Sequence, residues 1–163
     1  MNTMKCSLIL LSLLGPLMGA AADRKTETLK RFSSSDRTIS KDLKSTEDHA
    51  WLTDCHKPQV IRLFELADPG VDHCVVIYRA KIKSEALDGQ AYLEMWCRFA
   101  GKGEFFSRGL MHPISGSNDW ASHETPFFLK KGEKPDLIKL NLVVKGTGKV
   151  WIKDVELLKA AAK

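Results

Sequence analysis

The chain has 163 residues, with 25 Lys and Arg against 20 Asp and Glu and a formal net charge of +5. That length suits one domain of ordinary size. Its cations are scattered among the acids, without the basic stripe and interleaved aromatics that a phosphate backbone calls for, which argues against nucleic acid as a partner.

The opening MNTMK carries one positive charge, Cys6 to Leu14 is almost wholly apolar, and Gly15-Pro16 breaks the run before Gly19-Ala20-Ala21-Ala22. This is the order of a secretory signal peptide, and the apolar core falls short of the roughly 20 residues that span a bilayer. Ala20 and Ala22 suit a peptidase that takes small side chains. The expected products are a signal of residues 1–22 and a mature chain beginning at Asp23, secreted or periplasmic, with no stable membrane insertion after cleavage. The signal holds one charged residue, Lys5, so its removal takes the net charge from +5 to +4. It also takes Cys6 and leaves Cys55, Cys74 and Cys97. In an oxidising compartment three cysteines predict one disulfide and one free thiol, with Cys55 to Cys74 and Cys74 to Cys97 both open as pairings. No CxxC pair and no histidine at a ligand interval suggests zinc.

Residues 23–49 are rich in Lys, Arg, Ser, Thr and Asp, and isolated Leu29, Phe32, Ile39 and Leu43 cannot build a core by themselves. A flexible or loosely attached leader is expected, with compact structure beginning near Ala50-Trp51 and a domain over residues 50–158.

From there short β-type runs alternate with turn chemistry. Gln59 to Leu66 precedes Asp68-Pro69-Gly70, which favours a turn. Cys74 to Lys83 runs into a loop holding Asp88-Gly89, followed by Ala91 to Phe99. Alternation places even residues Cys74, Val76, Tyr78, Ala80 and Ile82 inward, and odd residues Leu93, Met95, Cys97 and Phe99 inward. The outward sets are Arg79, Lys81 and Lys83 on the first run and Tyr92, Glu94, Trp96 and Arg98 on the second. A hairpin about Asp88-Gly89 is expected to join the two. Gly101-Lys102-Gly103, Glu104 to Arg108 and the Pro113 to Asp119 stretch punctuate the middle. Trp120 to Leu129, Leu137 to Val144 and Val150 to Leu158 complete the series, with Ile138, Leu140, Leu142 and Val144 on one face. Lys159 to Lys163 reads as a frayed tail. No segment of ten or more residues has convincing helical periodicity, and seven or eight strands at this spacing predict an all-β antiparallel sandwich.

The series VIRLFEL, YRAKIK, AYLEMW, a Trp120-led strand ending in PFF, LIKLNLVV and a closing GKVWIKDVEL resembles the galactose-binding-like β-sandwich, the jelly roll also used by carbohydrate-binding modules. The resemblance covers roughly residues 50–158 and implies a non-catalytic binding domain. It further implies a site of aromatic and polar side chains on a sheet face, for which the matching positions are Tyr92, Glu94, Trp96 and Arg98 with Arg79 and Lys81 across the hairpin. Trp51, Trp120 and Trp151 are expected to pack, the last two at places where this fold commonly buries an aromatic. Relatives with a structural calcium suggest Asp154, Glu156 and Glu65 as ligands, too few side chains for the six to eight oxygens required. No cofactor is expected. The partner is a carbohydrate or, in the alternative reading, another envelope protein.

Enzymatic chemistry finds no support. Glu94 with Glu104, Asp119 or Glu124 forms no distinguished carboxylate pair. The histidines make no HExxH pattern, no GxSxG elbow exists, and inward-facing Cys97 reads as an inert core thiol.

Overall fold

The computed structural model describes residues 25–162. The expected signal peptide and its cleavage point lie outside the described residues, as does Lys163. The described residues are all-β: β1 Thr26–Phe32, β2 Lys44–Ser45, β3 Trp51–Cys55, β4 Gln59–Ala67, β5 Cys74–Phe99, β6 Gly103–Arg108, β7 Ile114–Phe128 and β8 Leu137–Ala161. No helix among them is long and apolar enough to cross a membrane.

Two long strands organise everything else. β5 and β8 run antiparallel along nearly their whole length, from Cys74 opposite Ala161 to Arg98 opposite Leu137. Both bend sharply in the middle, so the sheet folds over and closes on its own apolar side. One layer contains β1, β3, the second half of β8, the first half of β5 and β7. The other contains β4, the first half of β8, the second half of β5 and β6. The result is an antiparallel β-sandwich.

Glycines permit the bend. Gly89 faces Gly146 across the two strands, and a Cβ on either would collide with the opposing backbone, at the Lys145 carbonyl oxygen for Gly89 and the Asp88 carbonyl oxygen for Gly146. Gly89 also has φ of 112°, a conformation L side chains rarely adopt. The Asp88-Gly89 hairpin expected from sequence is therefore corrected. The same turn residues bend one continuous strand instead of reversing the chain.

The inward parities hold on each side of the bend. Val76, Tyr78, Ala80 and Ile82 join Leu93, Met95 and Cys97 in one core with Ile138, Leu140, Leu142 and Val144. The switch from even to odd is absorbed by the register shift between Glu85 and Asp88. In β8 the inward set changes from Val150 and Ile152 to Val155 and Leu157. Asp154, with φ of 52°, forms the bulge that makes this change.

The polar leader is not loose. β1 pairs with β8 from Thr26 opposite Ala160 to Phe32 opposite Val155, and the Phe32 ring stacks on Phe64 at 4.1 Å between centroids. Such a pair is worth about 0.5–1.5 kcal/mol beyond its buried area. Leu29 and Leu43 pack against the same core, while Ile39 N–H donates to the Leu63 carbonyl at 3.0 Å. Lys159 to Ala161, expected to fray, also belong to a strand, because β8 continues to Ala161.

All three described cysteines are free and buried, which corrects the expected disulfide. Burial, with a small addition from Cys74, pushes the Cys97 thiol up to about 12. Burial likewise raises Cys74. Both are therefore protonated, unreactive packing groups at neutral pH.

Tyr78 is fully buried, and its hydroxyl has no hydrogen-bond partner among the described residues. Removing an unpaired buried hydroxyl relieves a desolvation cost, so Tyr78→Phe is expected to stabilise the domain by about 1 kcal/mol. Urea unfolding checks this: a midpoint equal to or below that of the unaltered protein contradicts it.

Candidate functional site

The outward face of the β4, β8, β5, β6 layer is built in rows set by register. Arg62, Asn141, Glu94 and Arg108 stand side by side in one row, and Glu65, Lys139, Trp96 and Phe106 in the next. Arg98 and Glu104 extend a third. The intervening odd residues Leu93, Met95, Cys97 and Phe99 fill the core, so alternation alone sends these rows outward.

Glu94 is the hub. Although it points away from the main core it is only 3% exposed, and three donors converge on its carboxylate. Trp96 Nε1 donates at 2.8 Å, Arg108 Nε at 2.6 Å and Asn141 Nδ2 at 3.1 Å. Burial by itself would raise the carboxyl pKa, but these hydrogen bonds and the Arg108 charge together hold it below the ordinary value of 4.5.

The sign of the linkage follows. A carboxyl depressed in the folded state contributes stability that is complete above its unfolded pKa and lost as pH falls through the folded one. The stability difference between the unaltered protein and Glu94→Gln should therefore be larger at pH 7 than at pH 3. Thermal unfolding at both pH values measures it, and a difference independent of pH contradicts the assignment.

The hydrogen bond to Glu94 fixes the Trp96 indole. Beside it lies Phe106, with ring centroids 5.0 Å apart and planes tilted by 53°. Phe106 is 50% exposed, Trp96 is half-buried, and the Arg108 guanidinium sits 4.2 Å over the Phe106 ring. Ion pairs surround the two rings: Lys139 with Glu104 at 2.6 Å, Arg98 with Asp136 at 3.1 Å and Arg62 with Glu65 at 2.8 Å. The arrangement offers a fixed apolar surface ringed by hydrogen-bonding groups whose charges already balance.

The sequence-derived set is only partly brought together. Glu94, Trp96 and Arg98 share the face, but Tyr92 is 3% exposed and offers no open ring. The Glu94 carboxylate is occupied by its three donors, which makes it a positioning group for Trp96 and Arg108. Arg79 and Lys81 belong to the other layer, beyond the bend, where they pair with Glu124 at 3.1 Å and Asp154 at 2.8 Å. Phe106 was missed. Its signal was the glycine-flanked turn ahead of Glu104 to Arg108, which marks a returning strand whose even residues share the Trp96 face.

The calcium candidates do not converge. Asp154 is engaged by Lys81, Glu156 by Arg31 at 2.8 Å and Glu65 by Arg62, and Glu65 lies in the opposite layer from the other two. Among the described residues no group of three or more His, Cys, Asp and Glu could hold a metal ion.

No protein-family model and no curated protein matches the chain. Solved structures share its fold. A CBM4 structure superposes with a TM-score of 0.52 at 10% identity, over 76% of this chain and 77% of that one. The CBM22-1 xylan-binding domain of Xyn10C from Paenibacillus barcinonensis gives 0.51 at 12% identity, over 87% of this chain and all of the other. The CBM22-1 and GH10 modules of Clostridium thermocellum endo-1,4-beta-D-xylanase 10B, complexed with xylohexaose, give 0.56 at 9% identity over 83% of this chain. This chain spans 28% of that longer one. At such identities the likeness is one of fold, an antiparallel β-sandwich that these carbohydrate-binding modules share with this chain.

Proposed function

We propose that this is an exported, non-catalytic carbohydrate-binding domain whose site is the Trp96 and Phe106 face. The observation that carries the reading is the clamped indole: Glu94 holds Trp96 by its ring N–H while Phe106 stays half-exposed beside it. Fixed aromatic faces suit the C–H side of a pyranose, because they bury apolar area without paying rotamer entropy on binding. Arg98, Lys139 and Glu104 at the rim are placed to meet hydroxyls. The fold neighbours include a xylan-binding domain and a complex with xylohexaose, which makes neutral β-linked polysaccharides the first ligands to try.

Affinity electrophoresis through gels containing xylan, mixed-linkage glucan, glucomannan or hydroxyethylcellulose tests the proposal. Retardation by at least one polymer is expected, with Trp96→Ala weakening it at least tenfold. No retardation by any polymer would overturn the reading.

A protein-interaction or structural role in the envelope is the second reading. It is favoured by exposed apolar residues outside the Trp96 and Phe106 pair, notably Met111 at 86% and Phe128 at 65% exposure. Pull-down by an envelope protein that survives Trp96→Ala but fails in Met111→Ser would support it.

A further inference from the structure

The other outer face of the sandwich holds two tryptophans that the core does not use. Trp151 stands opposite Lys83 across β8 and β5. Trp120 lies on β7 between the residues paired with Ile82 and Ser84, so it flanks Lys83 from the other side. Both rings are partly exposed, whereas Trp51 is buried at 3%. Two strand spacings separate β7 from β8, which places the tryptophans about 10 Å apart.

Leu52 stands beside Trp151 on β3, and a lysine lies over each ring. Lys153 Nζ sits 4.1 Å over the Trp120 ring and Lys83 Nζ 5.3 Å over the Trp151 ring. Lys83 is half-buried, and Lys153 is 22% exposed at its side chain with Asp48 at 3.7 Å; a ligand that reaches the rings has to displace both flexible side chains.

Beside the tryptophans the same face opens into a groove of about 590 Å³, lined among others by Ser33, Ser34, His49, Lys81 and Ser122. Ser122 is two residues beyond Trp120 on β7, so groove and ring share one face. That volume is within the range of ligand clefts.

Charge pairing selects the class of ligand. Lys81 is paired with Asp154, Arg79 with Glu124, Arg31 with Glu156, Lys149 with Glu85 and Lys153 with Asp48. Among the described residues Lys83, set over the Trp151 ring, has no carboxylate partner, but a face whose five other named cations are already paired has little to offer a polyanion. Flat rings beside hydroxyls and mutually satisfied charges suit a neutral polyol.

We propose that Trp120, Trp151 and the adjoining groove form a second binding surface for a neutral polysaccharide, so that one domain engages two chains on its opposite faces. The inference rests on the carbohydrate reading of the first face. Two sites on one rigid body give bridging and avidity without any new contact at the first site.

Isothermal titration with an oligosaccharide of the retarding polymer separates the two surfaces, using Trp96→Ala/Phe106→Ala and Trp120→Ala/Trp151→Ala as site variants. The proposal expects two ligands per unaltered domain and one per variant of either kind, with residual binding in the first variant removed by adding the second pair. Trp120→Tyr/Trp151→Tyr keeps flat rings, guards against a folding defect, and should retain both ligands. A stoichiometry of one that disappears with Trp96→Ala/Phe106→Ala and is untouched by Trp120→Ala/Trp151→Ala overturns this inference and leaves the first site standing. One ligand per domain that survives the first variant and is lost in the second supports this surface and overturns the first. Absence of binding to any oligosaccharide overturns both.

Discussion

Gly89→Ala is expected to destabilise the domain by about 4 kcal/mol. Two costs combine: a positive φ imposed on an L side chain, roughly 1–3 kcal/mol, and overpacking against the opposing backbone, also roughly 1–3 kcal/mol. The new methyl group would meet the Lys145 carbonyl, on a strand that cannot retreat without opening the β5–β8 ladder at the bend. Gly132 supplies the comparison. Its φ is 84°, but no atom lies within 4 Å of a Cβ built there, so Gly132→Ala should cost only the strain, about 1 kcal/mol. Chemical denaturation of both variants measures the contrast. If Gly89→Ala lost no more stability than Gly132→Ala, the close approach of β5 and β8 at the bend would not be the constraint described here.

The second large effect is expected at Glu94. Removing its carboxylate in Glu94→Ala leaves the Trp96 and Asn141 donors without an acceptor and leaves Arg108 without its counter-charge. Breaking a buried pair by deleting one partner costs about 3–5 kcal/mol. Arg108 is 33% exposed at its side chain and regains water, which places the expected loss near the lower bound, about 3 kcal/mol. Glu94→Gln should be damaged as well, because all three partners are donors and an amide NH₂ would face one of them. The two variants should also lose ligand binding in parallel with the order of the Trp96 ring. Denaturation together with near-UV circular dichroism reads both effects. A stable Glu94→Ala with an unchanged tryptophan signal would remove Glu94 from its positioning role.

Much of this architecture was legible in the sequence, and the boundary of legibility has physical causes. Alternation identified the inward faces of Cys74 to Ile82, Leu93 to Phe99 and Ile138 to Val144, because one-sided burial writes a period of two directly into a strand. What alternation cannot reveal is what a turn signal does with the chain. Asp88-Gly89 carries the local chemistry of a reversal, but its outcome is decided by Gly146, far along the sequence, which allows two backbones to touch. Arg79 and Lys81 were consequently assigned to the wrong layer.

The leader was misjudged for a similar reason. Thr26 to Phe32 is polar because it is an edge strand with one wet side, and its anchors are Leu29 and the Phe32 ring, whose partner Phe64 lies on another strand. The three cysteines were read from compartment chemistry, yet each is a free, buried thiol in the core. At the site, Trp96 and Glu94 were visible as outward residues. Their hydrogen bond, the burial of Tyr92 and the partnership of Phe106 depend on cross-strand register, which no single segment encodes.

The most direct measurement of the central claim is the indole ¹⁵N–¹H spectrum of the four tryptophans during titration with an oligosaccharide. Trp51 lies in the core, Trp96 in the first site, and Trp120 and Trp151 on the opposite face, so each signal reports on one location. The account predicts a saturable shift of the Trp96 indole, whose N–H is held by Glu94, with Trp51 unmoved. A Trp96 signal that stays fixed across neutral oligosaccharides would contradict it.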